Sequence, residues 1–363
     1  MESEHPISKQ HTLSIWAIAD AWLGWLSIGA RIIYAALAGP FRGASGANAY
    51  HHHLIQAAVK ALTQRFSPLQ LQYLFPSYDQ LYLKHCKRSS IEPNFVSNGR
   101  GLRGFWMGDP TTAKYVVIQF HGGGFAMDAT QPYLDFYTGI SDTLAKEGIT
   151  TAWLNVTYTL APHCTYPTQF CEAAEALRYV VEDLERSPRD VILIGDSAGA
   201  SLCLAILSHI SHPSGDVPRL ELREPLKALV CLSPWVSFRH DWPSVEYNKY
   251  KDIDASEVTE RWSRAYLDGR PSNYYIEATD APGSWWEGAW VEQTLVLAGA
   301  DEVLLDPIRA WVGTFKKSNP DTTLVVGQNE CHVAPLIWPL FGDKRETQQG
   351  AALKSWLGER LRS

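Results

Sequence analysis

One serine in the sequence has the surroundings of an activated nucleophile. Ser197 lies in the segment GDSAG (195–199), directly after the apolar run VILI and directly before a helix-length segment. Gly-x-Ser-x-Gly between a strand and a helix makes a tight turn, in which side chains larger than hydrogen would clash two positions either side of the serine. The turn holds the hydroxyl above the sheet at a helix N-terminus, where the helix dipole favours developing negative charge. The pattern predicts a nucleophilic serine.

A serine hydroxyl needs a base, and the base needs an acid that orients it. In α/β-hydrolases, which carry a serine turn similar to this one, the chain order is serine, acid, histidine. Of the twelve histidines, only His332 follows the apolar run TLVLAGA, and it lies in a loop after the last predicted strand. The same run ends in DEVLLD, which offers Asp301, Glu302 and Asp306 as the acid. The sequence alone predicts His332 as the base and leaves the acid open.

Three consecutive glycines follow another apolar run, in VIQFHGGGF (117–125). Attack on an ester carbonyl creates an oxyanion, and removing one N–H donor aimed at that oxygen costs about 2.7–4 kcal/mol. Glycines let the backbone approach closely and turn its amides toward the reacting atom. The run therefore indicates an oxyanion-binding loop beside the serine.

The elements that must position these groups form a regular pattern from residue 115 onward. Apolar, β-branched runs alternate with segments of helix length. Such alternation, with strands apolar on both faces, is typical of a parallel sheet covered by helices. Catalytic groups then lie at the carboxyl ends of the strands. The predicted fold is α/β, with a mostly parallel central sheet over the runs 115–120, 151–158, 191–196, 228–235, 294–300 and 322–327.

Three motifs together resemble the hormone-sensitive-lipase-like family of the α/β-hydrolase fold: HGGGF at 121–125, GDSAG at 195–199 and YTLAPHCTYP at 158–167. The resemblance covers roughly residues 110–340. In that family the acid heads a D-P-L-R-D stretch, and the spacing from Glu302 to Asp306 matches it. The resemblance therefore implies Glu302 as the acid, with Asp301 as the alternative.

The resemblance also implies the oxyanion donors and a cap. Backbone amides of Gly123, Gly124 and Ala198 would bind the oxyanion. Residues 1–93 would form a helical cap or extension, and 94–363 a catalytic domain with a cap insertion at about 238–290. The chain has fourteen tryptophans, and several of them fall in this insertion. We expect Phe125, Trp285 and Trp286 to contact the substrate, because an aromatic, water-poor cap suits a bulky apolar group.

The segment 15–38 is apolar and long enough to cross a bilayer. A span is opposed by Asp20 and Arg31, each of which costs about 2.5–3.5 kcal/mol near the membrane centre. On a helix, Asp20, Gly24, Ser27 and Arg31 form one narrow stripe on an otherwise apolar cylinder. Three interpretations stay open: a cap helix packed on the body, an interfacial membrane helix, or a membrane span.

Composition narrows the partners and the compartment. The net charge is −7 and the basic residues are scattered, so nucleic acid is not expected as a partner. Six widely spaced cysteines and the lack of a secretory pattern favour the cytoplasm, with membrane association left open through 15–38. Gly99, Gly101 and Gly104 spell GxGxxG, but they lie between short strand-like segments, so we expect a hairpin rather than a nucleotide site.

Three functions remain open. The first is a serine carboxylester hydrolase that acts through an acyl-enzyme on a bulky, largely apolar or aromatic small-molecule ester, without metal or cofactor. The second uses the same triad for acyl transfer, lactone opening, or ring closure or elimination on a secondary-metabolite intermediate, as in the similar fungal natural-product-pathway hydrolases. The third is a non-catalytic ligand receptor, which the presence of Ser197, an acid and His332 disfavours. The family resemblance also leaves a homodimer open.

Overall fold

The computed structural model describes residues 13–43 and 45–362. One sheet lies at the centre of this part of the chain. Its strands are β1 (Phe95–Ser97), β2 (Arg103–Met107), β3 (Tyr115–Phe120), β4 (Thr151–Val156), β5 (Val191–Asp196), β6 (Ala228–Leu232), β7 (Thr294–Gly299) and β8 (Thr322–Gly327). Their order in the sheet is β1-β2-β4-β3-β5-β6-β7-β8; β1 and β2 are antiparallel to their neighbours, and the other pairings are parallel. The predicted α/β class with a mostly parallel sheet is confirmed.

Helices precede the sheet and cover both of its faces. They are α1 (Ile15–Ala38), α2 (Tyr50–Arg65), α3 (Pro68–Leu74), α4 (Tyr78–Ser89), α5 (Gln131–Lys146), α6 (Thr168–Arg178), α7 (Ala198–Ser211), α8 (Pro243–Asn248), α9 (Ser256–Leu267), α10 (Leu305–Ser318), α11 (Ala334–Ile337) and α12 (Gln348–Leu361). Ser67 and Ser77 begin α3 and α4 with capping boxes, since each accepts from the backbone amide three residues on while that residue's Gln side chain accepts in return.

The central strands are buried on both faces, which explains their unbroken apolar sequence. In β3, Val116, Ile118 and Phe120 pack on the side of α6, α7 and α10. The alternate residues Tyr115 and Val117 pack on the side of α5, α11 and α12. Two hydrophobic cores therefore clamp the sheet, because side chains alternate between the faces of a strand.

The parallel strands bring the predicted chemistry to one edge of the sheet. The glycine run follows β3, Ser197 follows β5, the acidic segment 301–306 follows β7, and His332 lies in the loop after β8. All of these are carboxyl ends of parallel strands, which meet at the same edge. The motif at 99–104 lies elsewhere, in the antiparallel β1–β2 hairpin. Gly99 and Gly101 take positive φ in its turn, so the hairpin expectation holds.

Helix α1 lies on the outside of the molecule against α2 and α3. Gly24 of its polar stripe is buried, whereas Ser27 and Arg31 are exposed at the edge of the contact with α2. Asp20 pairs with Arg65 at 2.5 Å, and Arg31 donates to Gln64 at 2.6 Å. The segment Ile15–Phe41 is long and apolar enough to cross a membrane, which is weak evidence by itself because core helices and signal sequences pass the same test.

Candidate active site

The turn after β5 holds Ser197 in a strained backbone conformation. Its φ of 49° and ψ of −120° lie outside the regions that most L-residues adopt. The flanking glycines permit this turn, because a Cβ at Gly195 would collide with the backbone of Gly199, and one at Gly199 with the carbonyl of Phe120. The Ser197 amide donates to the carbonyl of Leu232 on β6 at 2.9 Å. The serine is therefore fixed at the start of α7, with its side chain at a cavity wall.

The glycine run arches over this serine with its amides free. Gly123 and Gly124 have φ values of 95° and 59°, which other residues rarely adopt. Their N–H groups, and that of Ala198, have no acceptor among the described residues. Gly123, Gly124 and Ser197 line the same cavity. The three predicted amides are therefore without an internal acceptor, and two of them, those of Gly123 and Gly124, belong to residues that line the cavity beside Ser197.

Asp196, the residue before the serine, ties the glycine loop to the turn. Its carboxylate accepts from the Gly122 amide at 3.0 Å and from the Tyr133 hydroxyl at 2.6 Å. Burial raises the pKa of Asp196 to about 7, against the lowering effect of these bonds. The Asp of GDSAG therefore positions the loop, a role that the bare sequence pattern does not reveal.

In the acidic segment after β7, the two acids favoured by the family resemblance, Glu302 and Asp301, contact different groups. Oε2 of Glu302 lies 3.6 Å from Nδ1 of His332, and the Glu302 side chain is fully buried. The Ser233 hydroxyl donates to the same Oε2 at 2.6 Å, which fixes the carboxylate. Asp301 instead faces Lys251, at 3.8 Å. The structure thus brings Glu302 to the histidine and not Asp301.

Two further carboxylates surround the histidine, and neither was predicted. Oδ2 of Asp254 lies 3.6 Å from Nε2 of His332, on the opposite side of the ring from Glu302. Asp252 accepts from the His332 amide at 2.9 Å and from the Val303 amide at 2.7 Å. Burial lowers the pKa of His332, but Asp254, Glu302 and Asp252 outweigh it and raise the pKa to about 10. Burial and the neighbouring Asp254 raise the pKa of Asp252 to about 7.

A cavity of about 540 Å³ opens above Ser197 and His332. Its wall combines body and cap, and most of its side chains are apolar. Helix α1 contributes Trp25, Ile28 and Ile32. Other apolar members are Leu62, Leu71, Phe75, Trp235, Trp262, Leu304, Leu340 and Phe341. The volume and lining are those of a site for an apolar small molecule.

The sequence predicts that Phe125 contacts the substrate, but the structure places its ring outside the cavity wall. Phe125 is buried and stacks on Tyr266, with ring centroids 3.8 Å apart. Its backbone has a φ of 60° and its carbonyl accepts from the Ala161 amide at 2.7 Å. The chain turns at the end of the glycine loop, so the side chain enters the core instead of the cavity.

The two tryptophans expected over the serine also lie outside the cavity wall. Trp286 is buried against Phe315 of α10, at 5.3 Å between ring centroids. Trp285 stacks on His212 at 3.9 Å and donates to the Ser208 hydroxyl at 3.1 Å. Trp285 packs at the C-terminal end of α7 and Trp286 at the C-terminal end of α10, because the insertion returns to the sheet edge before β7. The expectation of substrate contact fails here for packing reasons.

Sequence reasoning missed the wall residues of α1 and the aspartate at Nε2. A signal for α1 was present, since Gly24 and Asp20 mark an inward stripe and Ile28 follows on the same side. That signal predicts packing but does not tell which cavity the packed face closes. For Asp254 no spacing rule links an acid in the insertion to a histidine about eighty residues later.

One group of potential metal ligands lies apart from this cavity, within the described residues. Ring nitrogens of His51 and His52 lie 3.0 and 2.9 Å from Oδ2 of Asp343, and the group fits within 4.8 Å. The Arg345 guanidinium already binds the same carboxylate oxygen at 2.7 Å. A cation therefore occupies the position that a metal would take, and we assign no metal to this group.

Comparison with known proteins gives the context for this geometry. A family model described as the alpha/beta hydrolase fold matches residues 117–336. An acetyl-hydrolase of Streptomyces hygroscopicus is 25% identical over 301 residues, covering 77% of this chain and 94% of that protein. Steryl acetyl hydrolase 1 of Saccharomyces cerevisiae is 27% identical over 129 residues, covering 36% of this chain and 28% of that protein. A solved esterase of the bacterial hormone-sensitive lipase family superposes with a TM-score of 0.63 at 22% identity, over 87% of this chain and 98% of that one.

Proposed function

Because this chain belongs to the α/β-hydrolase fold family, we propose that it is a serine carboxylester hydrolase for a bulky, largely apolar ester. The hormone-sensitive-lipase-like resemblance and the ester-hydrolysing class are confirmed by the family match and by relatives named esterase and acetyl-hydrolase. One observation carries the proposal for the substrate. Ser197, His332 and the free amides of the glycine loop all border a single cavity with a mostly apolar wall.

The reaction uses three side chains in fixed order. Nε2 of His332 takes the proton of the Ser197 hydroxyl as its oxygen attacks the ester carbonyl carbon. Glu302, buried at 3.6 Å from Nδ1, orients the ring and stabilises the imidazolium. The imidazolium then returns the proton to the departing alkoxide, which leaves as an alcohol and frees an acyl-serine. Water deprotonated by the same nitrogen attacks this ester, the imidazolium returns the proton to the Ser197 oxygen as it leaves, and the acid is released.

The backbone stabilises the charge that develops in both steps. The carbonyl oxygen becomes an oxyanion within reach of the amides of Gly123, Gly124 and Ala198. These amides have no internal acceptor in the described chain, so they require no reorganisation to bind the oxyanion. The loop is held by Asp196 through Gly122, which keeps the donors in place before the substrate arrives.

The substrate class follows from the cavity and its position. Its apolar wall favours an aromatic or alicyclic group over a sugar or a charged peptide. The acetyl-hydrolase and steryl acetyl hydrolase relatives act, by their names, on acetyl esters. An acetyl or other short acyl ester of a bulky apolar alcohol fits both observations. Such an ester partitions into lipid, so contact with a lipid surface would increase the enzyme's supply of substrate.

Helix α1 supplies a surface that suits a lipid source. Its outward face is apolar along its length, and Trp22 and Leu26 are exposed by 72% and 73%. Its charged residues Asp20 and Arg31 are paired with Arg65 and Gln64 of α2, at the border of that face. The same helix lines the cavity with Ile28, so one element joins the lipid-facing surface to the site. The helix lies along the lipid surface as an interfacial element.

Vesicle flotation tests this contact. Leu26→Glu places a charge at the centre of the face and should abolish binding to phosphatidylcholine vesicles. Tyr250→Glu, which introduces the same charge at an exposed apolar ring elsewhere on the cap, is the matched control and should float like the wild type. Turnover of a water-soluble short ester should stay unchanged in both variants. A wild type that dimerises in solution, does not float and becomes monomeric in Leu26→Glu would identify the face as a homodimer contact instead.

Intact-protein mass spectrometry with a fluorophosphonate tests the catalytic proposal. The wild type should gain one adduct, Ser197→Ala none, and His332→Ala an adduct only at a greatly reduced rate, because the hydroxyl then lacks its base. Thermal unfolding of each variant checks that the fold persists. A folded wild type that never labels, yet binds an apolar ester without consuming it, would replace the hydrolase by a ligand receptor.

A further inference from the structure

The ring of His332 lies between two carboxylates that approach its two nitrogens. Glu302 lies at Nδ1 and Asp254 at Nε2, each at 3.6 Å. Nε2 is the nitrogen that must take the proton from Ser197. No hydrogen bond joins Ser197 to His332 in the described part of the chain. In this structure the base therefore faces a carboxylate on the side where it must meet its nucleophile.

The two carboxylates are held in different ways. Glu302 belongs to the body, is fully buried, and accepts from Ser233. Asp254 belongs to the cap insertion, in the segment between α8 and α9, and its side chain is 18% exposed. Among the described residues it accepts no hydrogen bond that would fix it in place. It also lines the cavity, so an incoming ligand reaches it directly.

We propose that Asp254 is a positioning residue for the ester hydrolysis proposed above: it holds Nε2 of His332 until a ligand in the cavity displaces it. With Asp254 in place, each ring nitrogen lies beside a carboxylate, and the two negative charges hold the histidine as an imidazolium. An imidazolium has no free electron pair with which to accept the serine proton. Displacement of Asp254 takes the carboxylate away from Nε2, so the ring releases its extra proton to solvent and Nε2 can face Ser197.

Most of the ionisable groups around His332 are carboxylates, which favour the imidazolium of this locked state, whereas Lys60 is basic and opposes it. The titratable groups that face it from the packed elements are Asp196 after β5, Asp252 and Asp254 of the cap insertion, Glu302 after β7, the buried thiol of Cys331, and Lys60 of α2, which lies near Asp252 and Asp254. Burial lowers the pKa of His332, yet the carboxylates raise it to about 10. Neutral imidazole is therefore scarce below that pH, and each fall of one unit in pKa makes it about tenfold more abundant at pH 7.

The rate of fluorophosphonate labelling, measured between about pH 5 and 10, reports the neutral base without any need for the natural substrate. The variants are Asp254→Asn and Asp254→Ala, with Asp301→Asn as the matched control, since Asp301 faces Lys251 instead of the histidine. Both Asp254 variants should shift the midpoint of the acid limb down by about 1–3 pH units. Labelling at pH 7 should rise by about tenfold or more, and Asp301→Asn should follow the wild type.

The outcomes separate this inference from the function on which it rests. Labelling in all variants with the same midpoint overturns the role of Asp254 and leaves the hydrolase intact. A uniform loss of rate at every pH in both Asp254 variants also overturns it, because a structural role would act without moving the midpoint. Absence of labelling in every folded variant overturns the hydrolase itself, and with it this inference.

Discussion

The body and the cap contribute to the same cavity by different physical means. In the body, functional groups sit at strand ends, and their positions follow from backbone rules: a tight turn at Ser197, left-handed glycines at 123 and 124, a parallel sheet edge. In the cap, the wall is made by side chains of separate helices that meet only through packing. Trp25 of α1 and Trp262 of α9 are far apart in sequence and border one cavity.

The difference also applies to the two sides of His332. The body holds Glu302 with a hydrogen bond and complete burial, whereas the cap presents Asp254 with partial exposure. In the proposed mechanism the fixed groups of the body perform the chemistry, and the partly exposed groups of the cap control when and on what it acts. Substitutions in the body should therefore change kcat by orders of magnitude, and substitutions in the cap should change selectivity or pH dependence.

The largest effect is expected at Glu302. Glu302→Gln keeps the shape but removes the charge that orients and stabilises the imidazolium, so kcat should fall by about 10⁴-fold. The matched variant Asp301→Asn removes a neighbouring charge that faces Lys251, and its kcat should stay within about twofold of the wild type. Steady-state kinetics on a soluble short ester gives both values.

A reversal of these two results would make Asp301 the working acid and would require the loop after β7 to rearrange in solution. Equal losses in both variants would show that the loop tolerates neither change, and thermal unfolding would then reveal a loss of stability. Either result would weaken the contrast between a rigid body and an adjustable cap.

The sequence was sufficient for most of the body. Six apolar runs predicted β3 to β8 because strands buried on both faces must be apolar throughout. The turn at Ser197 was predictable because the two glycines that it requires stand in the motif GDSAG. The resemblance to a known family then favoured Glu302 over Asp301, and the structure brings Glu302 to His332. Their roles in catalysis stay predictions until the kinetics are measured.

The next effect concerns the glycine loop. Gly124→Ala adds a Cβ at a φ of 59° and directly against the ring of Trp262, so the loop must shift and its amide must leave the oxyanion. The expected loss in kcat is about 10²–10³-fold, the cost of one oxyanion donor. Gly148→Ala is the control, since its φ is 79° but its surroundings are open. That variant should lose about 1 kcal/mol of stability and keep its kcat.

If Gly124→Ala retained full kcat while its stability fell, the amide of Gly124 would not serve as a donor. The remaining amides of the site would then carry the oxyanion. If Gly148→Ala lost kcat as well, the loss would reflect general backbone strain and not a specific role of the glycine loop.

The cap was less predictable, and its residues show why. Trp285 and Trp286 were expected over the serine because they are aromatic and lie in the insertion, yet they pack on His212 and Phe315. Burial of a large ring is favourable wherever a complementary surface exists, so composition does not choose between a core and a cavity wall. Helix α1 lines the cavity instead of these tryptophans, and no local sequence pattern connects Ile28 with Ser197.

The smallest effect tests whether the substrate contacts helix α1 rather than the tryptophans of the insertion. Ile32→Trp adds volume on the α1 side of the cavity and should lower kcat/KM for a bulky ester by about tenfold relative to a small acetate. Trp285→Phe keeps an aromatic ring outside the cavity and should leave the ratio of the two substrates unchanged. The ratio cancels general damage, because a loss of folded enzyme lowers both rates equally. A ratio that responds to Trp285→Phe and not to Ile32→Trp would place the substrate under the insertion, and α1 would then serve the lipid surface alone.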